Sequence, residues 1–378
     1  MTAVMEAPLG AADALADSVA VEYRHQPGSF CLGVALRGVT EAAGLKLSEA
    51  EVMGLGASVC FRYGADLPKR KFHLEVCHSG VDMALFGNLG ILALQRRTTD
   101  RGWAEARMME LLRAGRPIAV KVNPRYCEGV MRATPEALVP LLYIHWVVVS
   151  GYDAARDTVR YHDNTRFAAY ELPREELRAA RDSGPSVQNG RNTWLELEVP
   201  RALAPLDEAC LQGIRQMVVA SKYLTGGEGY KGVDAATRFA RHLKSWRTTL
   251  TPDEVRSNAL GMMSSITLGG ALKGAGRRHY AAFLDAAART LDAPALKEAA
   301  APYRALAGVW TGLYGRFAAM ANDPADDRPW SRGSEYFALL DALAAGEKKA
   351  ADTLEAALAE TERGRMARPP PSTREVPC

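Results

Sequence analysis

A chain of 378 residues, 48% hydrophobic and 24% charged, has ample apolar material for a packed core and the length for two domains. Its formal charge of +3 is near neutral for that size, which removes the electrostatic case for nucleic acid or an anionic membrane as partner. Six cysteines, at 31, 60, 77, 127, 210 and 378, form no CxxC pair and no regular spacing, so neither a disulfide framework nor a structural zinc site is expected.

Residues 1–22 read as a flexible leader. Acids run through its middle and no basic segment opens it, so no signal peptide is expected. No apolar run approaches a membrane span. A cytoplasmic, reducing location follows, in which an unpaired thiol survives as a nucleophile. In HQPGSFCLGVALRGVTEAAG, residues 25–44, Pro27, Gly28 and Ser29 mark a turn. Leu32, Leu36, Val39 and Ala43 then recur at helical spacing until Gly44. With Ser29 as N-cap, Cys31 falls in the first helical turn, where free backbone N–H groups and the helix dipole favour thiolate over thiol.

LSEAEVMGLGASVCFRYG reads as a second helical stretch broken at Gly54 and Gly56. An amphipathic helix over 102–115 precedes a strand in RPIAVKVNP. Two β-rich runs, YIHWVVVSGYD and DTVRYHDN, are joined through Ala154-Ala155-Arg156 as an antiparallel hairpin. A helix in PREELRAARDSG and a strand in NTWLELEVP close a mixed region, 23–200. From 201 to 362 only helical periods occur, without a fixed repeat, and the Pro-rich tail 363–378 is expected to be disordered. The fold class is therefore α+β with an antiparallel sheet, followed by an all-helical domain. Trp103, Trp146, Trp194, Trp246, Trp310 and Trp330 read as core.

Two motifs are set aside. Gly227 to Gly232 spell GxGxxG, but a helical stretch precedes them where a dinucleotide site needs a strand, so no nucleotide cofactor is expected. Cys60, His73, Cys77 and His78 lack a second ligand pair at metal-binding spacing, so no metal is expected either.

A nucleophilic cysteine needs a base and a group to orient it. His242 and His279 sit among Arg and Lys on helices and read as solvent-facing. His145 differs, because it opens the apolar run WVVVSGYD. Pairing about Ala155 places residue 145 opposite about 165. Asp163 then lies two places along on the same face, and Asn164 points away unless a bulge shifts the register. Cys31, His145 and Asp163 thus follow papain-like chain order, with Asn164 as the alternate third member. Gln26 is the candidate oxyanion donor beside the Cys31 N–H, and His25 competes for that place.

GSFCLGVALRGVTEAAGLKLSEAEVMGLG, GRPIAVKVN, HWVVVSGYD and VRYHDN together resemble the N-terminal domain of the butirosin biosynthesis protein H family. GGALKGAGRRHYAAFLDAAARTL with YRALAGVWTGLYGRFA resembles the uncharacterised helical domain that commonly follows it. The resemblance covers about 23–320. It implies a papain-like fold of the type seen in C39 peptidases. It also implies an acyltransferase of natural-product biosynthesis, moving an acyl group from a carrier-protein phosphopantetheine thioester through a cysteine to an amine. The matching positions are Cys31, His145 and Asp163. Relatives often carry His directly before the cysteine, where this chain has Phe30, which puts the acceptor pocket in question. A hydrolase or chain-releasing cyclase with the same triad, and a non-catalytic binding module, are the competing readings. Arg238, Arg241, Arg277 and Arg278 read first as solvated helix faces, with docking of an acidic carrier protein as their alternative role.

Overall fold

The computed structural model describes residues 17–77, 80–142, 144–183, 191–224, 229–267, 274–331 and 333–367. His78, Cys378, most of the expected leader and most of the expected tail lie outside them.

The chain opens with β1 (Val19–Ala20), α1 (Cys31–Ala42), α2 (Glu49–Leu55), β2 (Val59–Asp66), β3 (Lys71–Cys77), α3 (Val81–Leu89) and β4 (Leu92–Arg96). It continues with α4 (Arg101–Arg113), β5 (Ile118–Val122), α5 (Glu128–Ala133), β6 (His145–Asp153), β7 (Thr158–His162) and β8 (Tyr170–Pro173). Next come α6 (Arg174–Asp182), β9 (Trp194–Glu198), α7 (Leu206–Lys222), β10 (Tyr230–Lys231) and α8 (Gly232–Thr249). Four helices complete it: α9 (Pro252–Thr267), α10 (Arg277–Thr290), α11 (Pro294–Asn322) and α12 (Glu335–Met366). The fold is α+β, with antiparallel sheets and a helical C-terminal region.

The main sheet has the order β4-β9-β5-β6-β7-β8, and β1 pairs with the far end of β6. The leader expected over 1–22 thus ends in a paired strand, and α12 carries helix to Met366, inside the expected tail. Strand β6 reads as a continuous apolar run because it is buried on both faces. Trp146 and Val148 join α1, Ala119 and Leu197 on one side. Val147 and Val149 join Met108, Leu112 and Trp194 on the other. Against the first face α1 lays Leu32, Leu36 and Val39, each contributing about 1.5–3 kcal/mol if wholly removed from water.

The helical stretch read in LSEAEVMGLGASVCFRYG ends at Leu55, between the expected breaks at Gly54 and Gly56, and from Val59 the chain is strand β2 and not helix. Val59, Phe61 and Tyr63 alternate at period two, the signal that wins there. β2, β3 and β10 form a small sheet that is packed into the helical half. Phe61 and Tyr63 meet Phe239 edge-on at 5.6 and 5.3 Å, and Phe72 meets Trp246 at 5.3 Å. The two halves therefore share one apolar core across residue 200. Four of the six tryptophans are buried, and Trp103 and Trp330 pack against the core's margin.

Arg277 is the main correction among the surface arginines. It is 1% exposed, bonded to the carbonyls of Cys60, Val76 and Ala275 and to Glu347, so it fastens the small sheet to α12 and faces no partner. Arg238 is paired with Asp234 and lies over Tyr230, while Arg241 and Arg278 are exposed.

Candidate active site

The segment before Cys31 is held from three directions. The Arg37 guanidinium donates to the Gln26 carbonyl from α1. Asn164, just beyond β7, accepts the Gly28 N–H through its carbonyl at 3.1 Å and returns its side-chain amide to the Gly28 carbonyl at 3.4 Å. Glu49, the first residue of α2, accepts the Phe30 N–H at 2.7 Å and the Ser29 N–H at 3.0 Å. Ser29 is not the N-cap. Phe30 holds that position in extended conformation without a side-chain cap, and the Ser29 hydroxyl donates to Glu49 at 3.2 Å. A carboxylate from the next helix has taken over the anchoring expected of the local hydroxyl.

Cys31 is the first residue of α1 and is half-buried. Burial raises its thiol pKa above the ordinary value, outweighing the backbone N–H groups of Trp146, Leu32 and Cys31 itself, which lower it. Two of those N–H groups belong to the helix terminus, as the dipole argument requires, yet desolvation prevails. The Trp146 N–H places the thiol against the residue that follows His145. His145 is 5% exposed, and burial pushes its imidazole down to about 4, with the Asp163 charge opposing. Burial thus favours the neutral form of both the thiol and the imidazole. This departs from the thiolate expected at the helix terminus.

The hairpin explains why Asp163 faces His145. Its turn sets Asp153 opposite Thr158 and Gly151 opposite Arg160. Continued unchanged, that register puts Asn164 on the face of His145. A bulge between Val149 and Gly151 moves the pairing by one, to Val149 with Tyr161 and Val148 with His162. Extended past His162, the new register sets residue 145 opposite 165 and Asp163 on the His145 face. Asn164 is thereby left to tie down Gly28.

Asp163 is 1% exposed. Its Oδ1 accepts from the Thr165 N–H at 2.8 Å and the Thr165 hydroxyl at 2.5 Å. Its Oδ2 is buried without a hydrogen-bond partner among the described residues, and so is Nε2 of His145. Hydrogen bonds of catalytic groups are commonly long before substrate binds.

The oxyanion candidates fare differently. Gln26 is exposed, and its side chain makes no hydrogen bond among the described residues. His25 is buried, with Tyr23 Oη 3.4 Å from its Nδ1 and the His162 ring 4.9 Å away. Burial lowers its pKa, with the nearby carbonyls of Asp163 and Arg166 opposing.

Glu49 went unread in the sequence, and His279, read there as solvent-facing, instead reaches from α10 to within 2.9 Å of Ser29 Oγ and 3.5 Å of Glu49. Its place four residues before buried Phe283 was a readable sign that it borders the packed face of α10. His242 likewise contacts Tyr63 Oη at 3.1 Å. Among the described residues no group of three or more His, Cys, Asp or Glu side chains is arranged to hold a metal ion. A groove of about 400 Å³ lined by Val39, Ala42, Leu111, Pro117 and Leu197 lies toward the other end of α1 from the thiol.

Residues 175–354 match the family model of a domain of unknown function, DUF4872. The match covers most of the helical region and ends short of Cys31, His145 and Asp163. No curated protein matches the chain.

Proposed function

We propose that the protein is a cysteine-dependent acyltransferase, taking an acyl group from a carrier-protein phosphopantetheine thioester to an amine. The observation that carries this reading is the half-buried Cys31 thiol at a helix terminus, against the strand start that bears His145, with the Asp163 charge acting on that imidazole. Nε2 of His145 and Oδ2 of Asp163 each lack a hydrogen-bond partner among the described residues, and in the acting enzyme they pair to orient the base while Nδ1 of His145 serves the thiol.

Because the resting pair is neutral, proton transfer accompanies attack. Cys31 Sγ bonds to the thioester carbonyl carbon as His145 takes the thiol proton. The tetrahedral oxyanion is held by a backbone N–H, with the Gln26 amide turning in once substrate is bound. The carbon–sulfur bond to the carrier then breaks, and His145 returns the proton to the departing thiol. The acceptor amine attacks acyl-Cys31 and gives a proton to His145. Collapse yields the amide and the free Cys31 thiol. Thioester exchange is nearly isoenergetic, so amide formation drives the sequence. Exclusion of water decides transfer over hydrolysis. The reading places the reaction in the cytoplasm. Among the described residues no helix is long and apolar enough to cross a membrane.

The test offers an acyl-loaded carrier protein with candidate amines and follows products by mass. Cys31-dependent amide supports transfer. Free acid alone identifies a hydrolase, and a cyclic product a chain-releasing cyclase. No loss of acyl from the carrier, with a Cys31 no more reactive than a free thiol, identifies a binding module.

A further inference from the structure

Helix α10 meets the nucleophile's segment through a close seam. Gly54 of α2 lies so near the Phe283 ring that a Cβ there would sit 1.9 Å from a ring carbon. That approach places His279, one turn before Phe283, beside Ser29 and Glu49. The Ser29 hydroxyl has one proton and gives it to Glu49, so at Ser29 Oγ the donor is the His279 Nε2–H. Glu49 therefore receives both backbone N–H groups that precede Cys31 and faces an imidazole N–H from the helical half. Its side chain is 11% exposed. Burial raises its carboxyl pKa, but the neighbouring His279 imidazole and the Ser29 and Phe30 N–H groups prevail and the net shift is downward, so it is an anion at neutral pH. The residue also sits at the N-termini of both α1 and α2, where two helix dipoles favour negative charge.

We propose that Glu49 is the positioning residue for Cys31 and that His279 locks it from α10, so the helical region is an obligatory part of the nucleophile site. The proposal rests on the reading of Cys31 as nucleophile. Glu49 touches neither the thiol nor the base. It fixes the backbone that aims Sγ at His145, and its anchor, His279, lies far along the chain on α10. Misplacing a nucleophile by about 1 Å costs up to about a hundredfold in rate.

The test measures iodoacetamide alkylation of Cys31 against pH in the full-length protein, for wild type, Glu49→Ala, Glu49→Gln and His279→Ala, with melting followed in parallel. In wild type His145 sustains alkylation on a plateau well below the thiol's own titration. Glu49→Ala is expected to slow alkylation about ten- to a hundredfold at neutral pH and to abolish that plateau. Glu49→Gln keeps an oxygen for the two N–H groups and recovers part of the rate. His279→Ala gives an intermediate loss. A purely structural role would lower melting while leaving plateau and rate intact, and would overturn the proposal. If Glu49→Ala does not fold, Glu49→Gln and His279→Ala decide: wild-type profiles in both overturn it. A wild-type Cys31 that alkylates like a free thiol overturns the nucleophile reading itself, whatever the variants do.

Discussion

Replacing Asp163 with Asn tests the hairpin register, the bulge and the triad together. The Thr165 N–H and hydroxyl both donate to Oδ1 of Asp163, so in Asp163→Asn the amide oxygen is fixed at that position. The amide NH2 must then occupy the place of Oδ2. A donor there requires His145 to present the lone pair of Nε2, which leaves the proton on Nδ1, the atom assigned to receive the Cys31 proton. The base is thereby in the wrong tautomer with its geometry intact. The equivalent exchange in a serine-protease triad costs about 10⁴ in kcat, equal to about 5 kcal/mol of barrier. Some of that loss is offset here because thiols ionise more readily than hydroxyls, so a drop of about 10²–10⁴ in single-turnover acylation is expected. Asn164→Ala, by contrast, removes only the 3.4 Å tie to Gly28 and leaves the backbone bond, so its effect should stay within about tenfold. The assay mixes enzyme in excess with a simple acyl thioester and follows acyl-enzyme by quenched mass analysis. Acylation by Asp163→Asn within threefold of wild type, or a larger loss in Asn164→Ala, refutes the assignment.

Three further outcomes are expected. The difference spectrum of wild type minus Cys31→Ala should lack the thiolate ultraviolet band between about pH 5 and 8, because burial holds both Cys31 and His145 neutral; a full thiolate band would show a preformed ion pair. Stability should fall as pH drops from 6.5 toward 4, since burial pushes both His145 and His162 from 6.5 to about 4. The unfolded chain takes up those protons first, so the stabilisation is complete above 6.5 and lost on acidification; His162→Gln should flatten the dependence in melting scans, and an unchanged slope contradicts it. Arg277→Met strips Glu347 of its buried cation and the carbonyls of Cys60 and Val76 of their donor, which should cost about 3–5 kcal/mol in denaturant unfolding. Adding Glu347→Leu should recover part of that loss, whereas a wild-type midpoint for Arg277→Met would contradict the structural role.

Local patterns made much of the mixed region legible. The apolar period after Ser29, the alternation of RPIAVKVNP and the turn signal at 154–156 each specify an element with nearest-neighbour chemistry. What escaped was set by distant chain. Val59 to Tyr63 carries a local period-two alternation, but it is short and follows a helix, and the partners of Phe61 that bury it, Phe239 and Trp310, lie far downstream. Ser29 looked like a cap because Glu49 cannot be seen to reach it. The His145–Asp163 relation was readable since a hairpin converts spacing into position. The turn is one residue longer than the Ala154-Ala155-Arg156 read in the sequence, which by itself would favour Asn164, and the bulge beside Ser150 brings the register back to the one that favours Asp163. Arg277 looked like surface because a buried guanidinium needs five partners that no local pattern announces. The thiol's resting state escaped for a similar reason: helix position argues for thiolate, and the depth of packing that opposes it is a tertiary property.

The most direct measurement is the intact mass of the protein after incubation with a simple acyl thioester, beside Cys31→Ala and His145→Ala. The account requires a gain of one acyl group in wild type, none in Cys31→Ala and a much slower gain in His145→Ala. No adduct in wild type, or an adduct that persists in Cys31→Ala, contradicts the claim that Cys31 carries the acyl group.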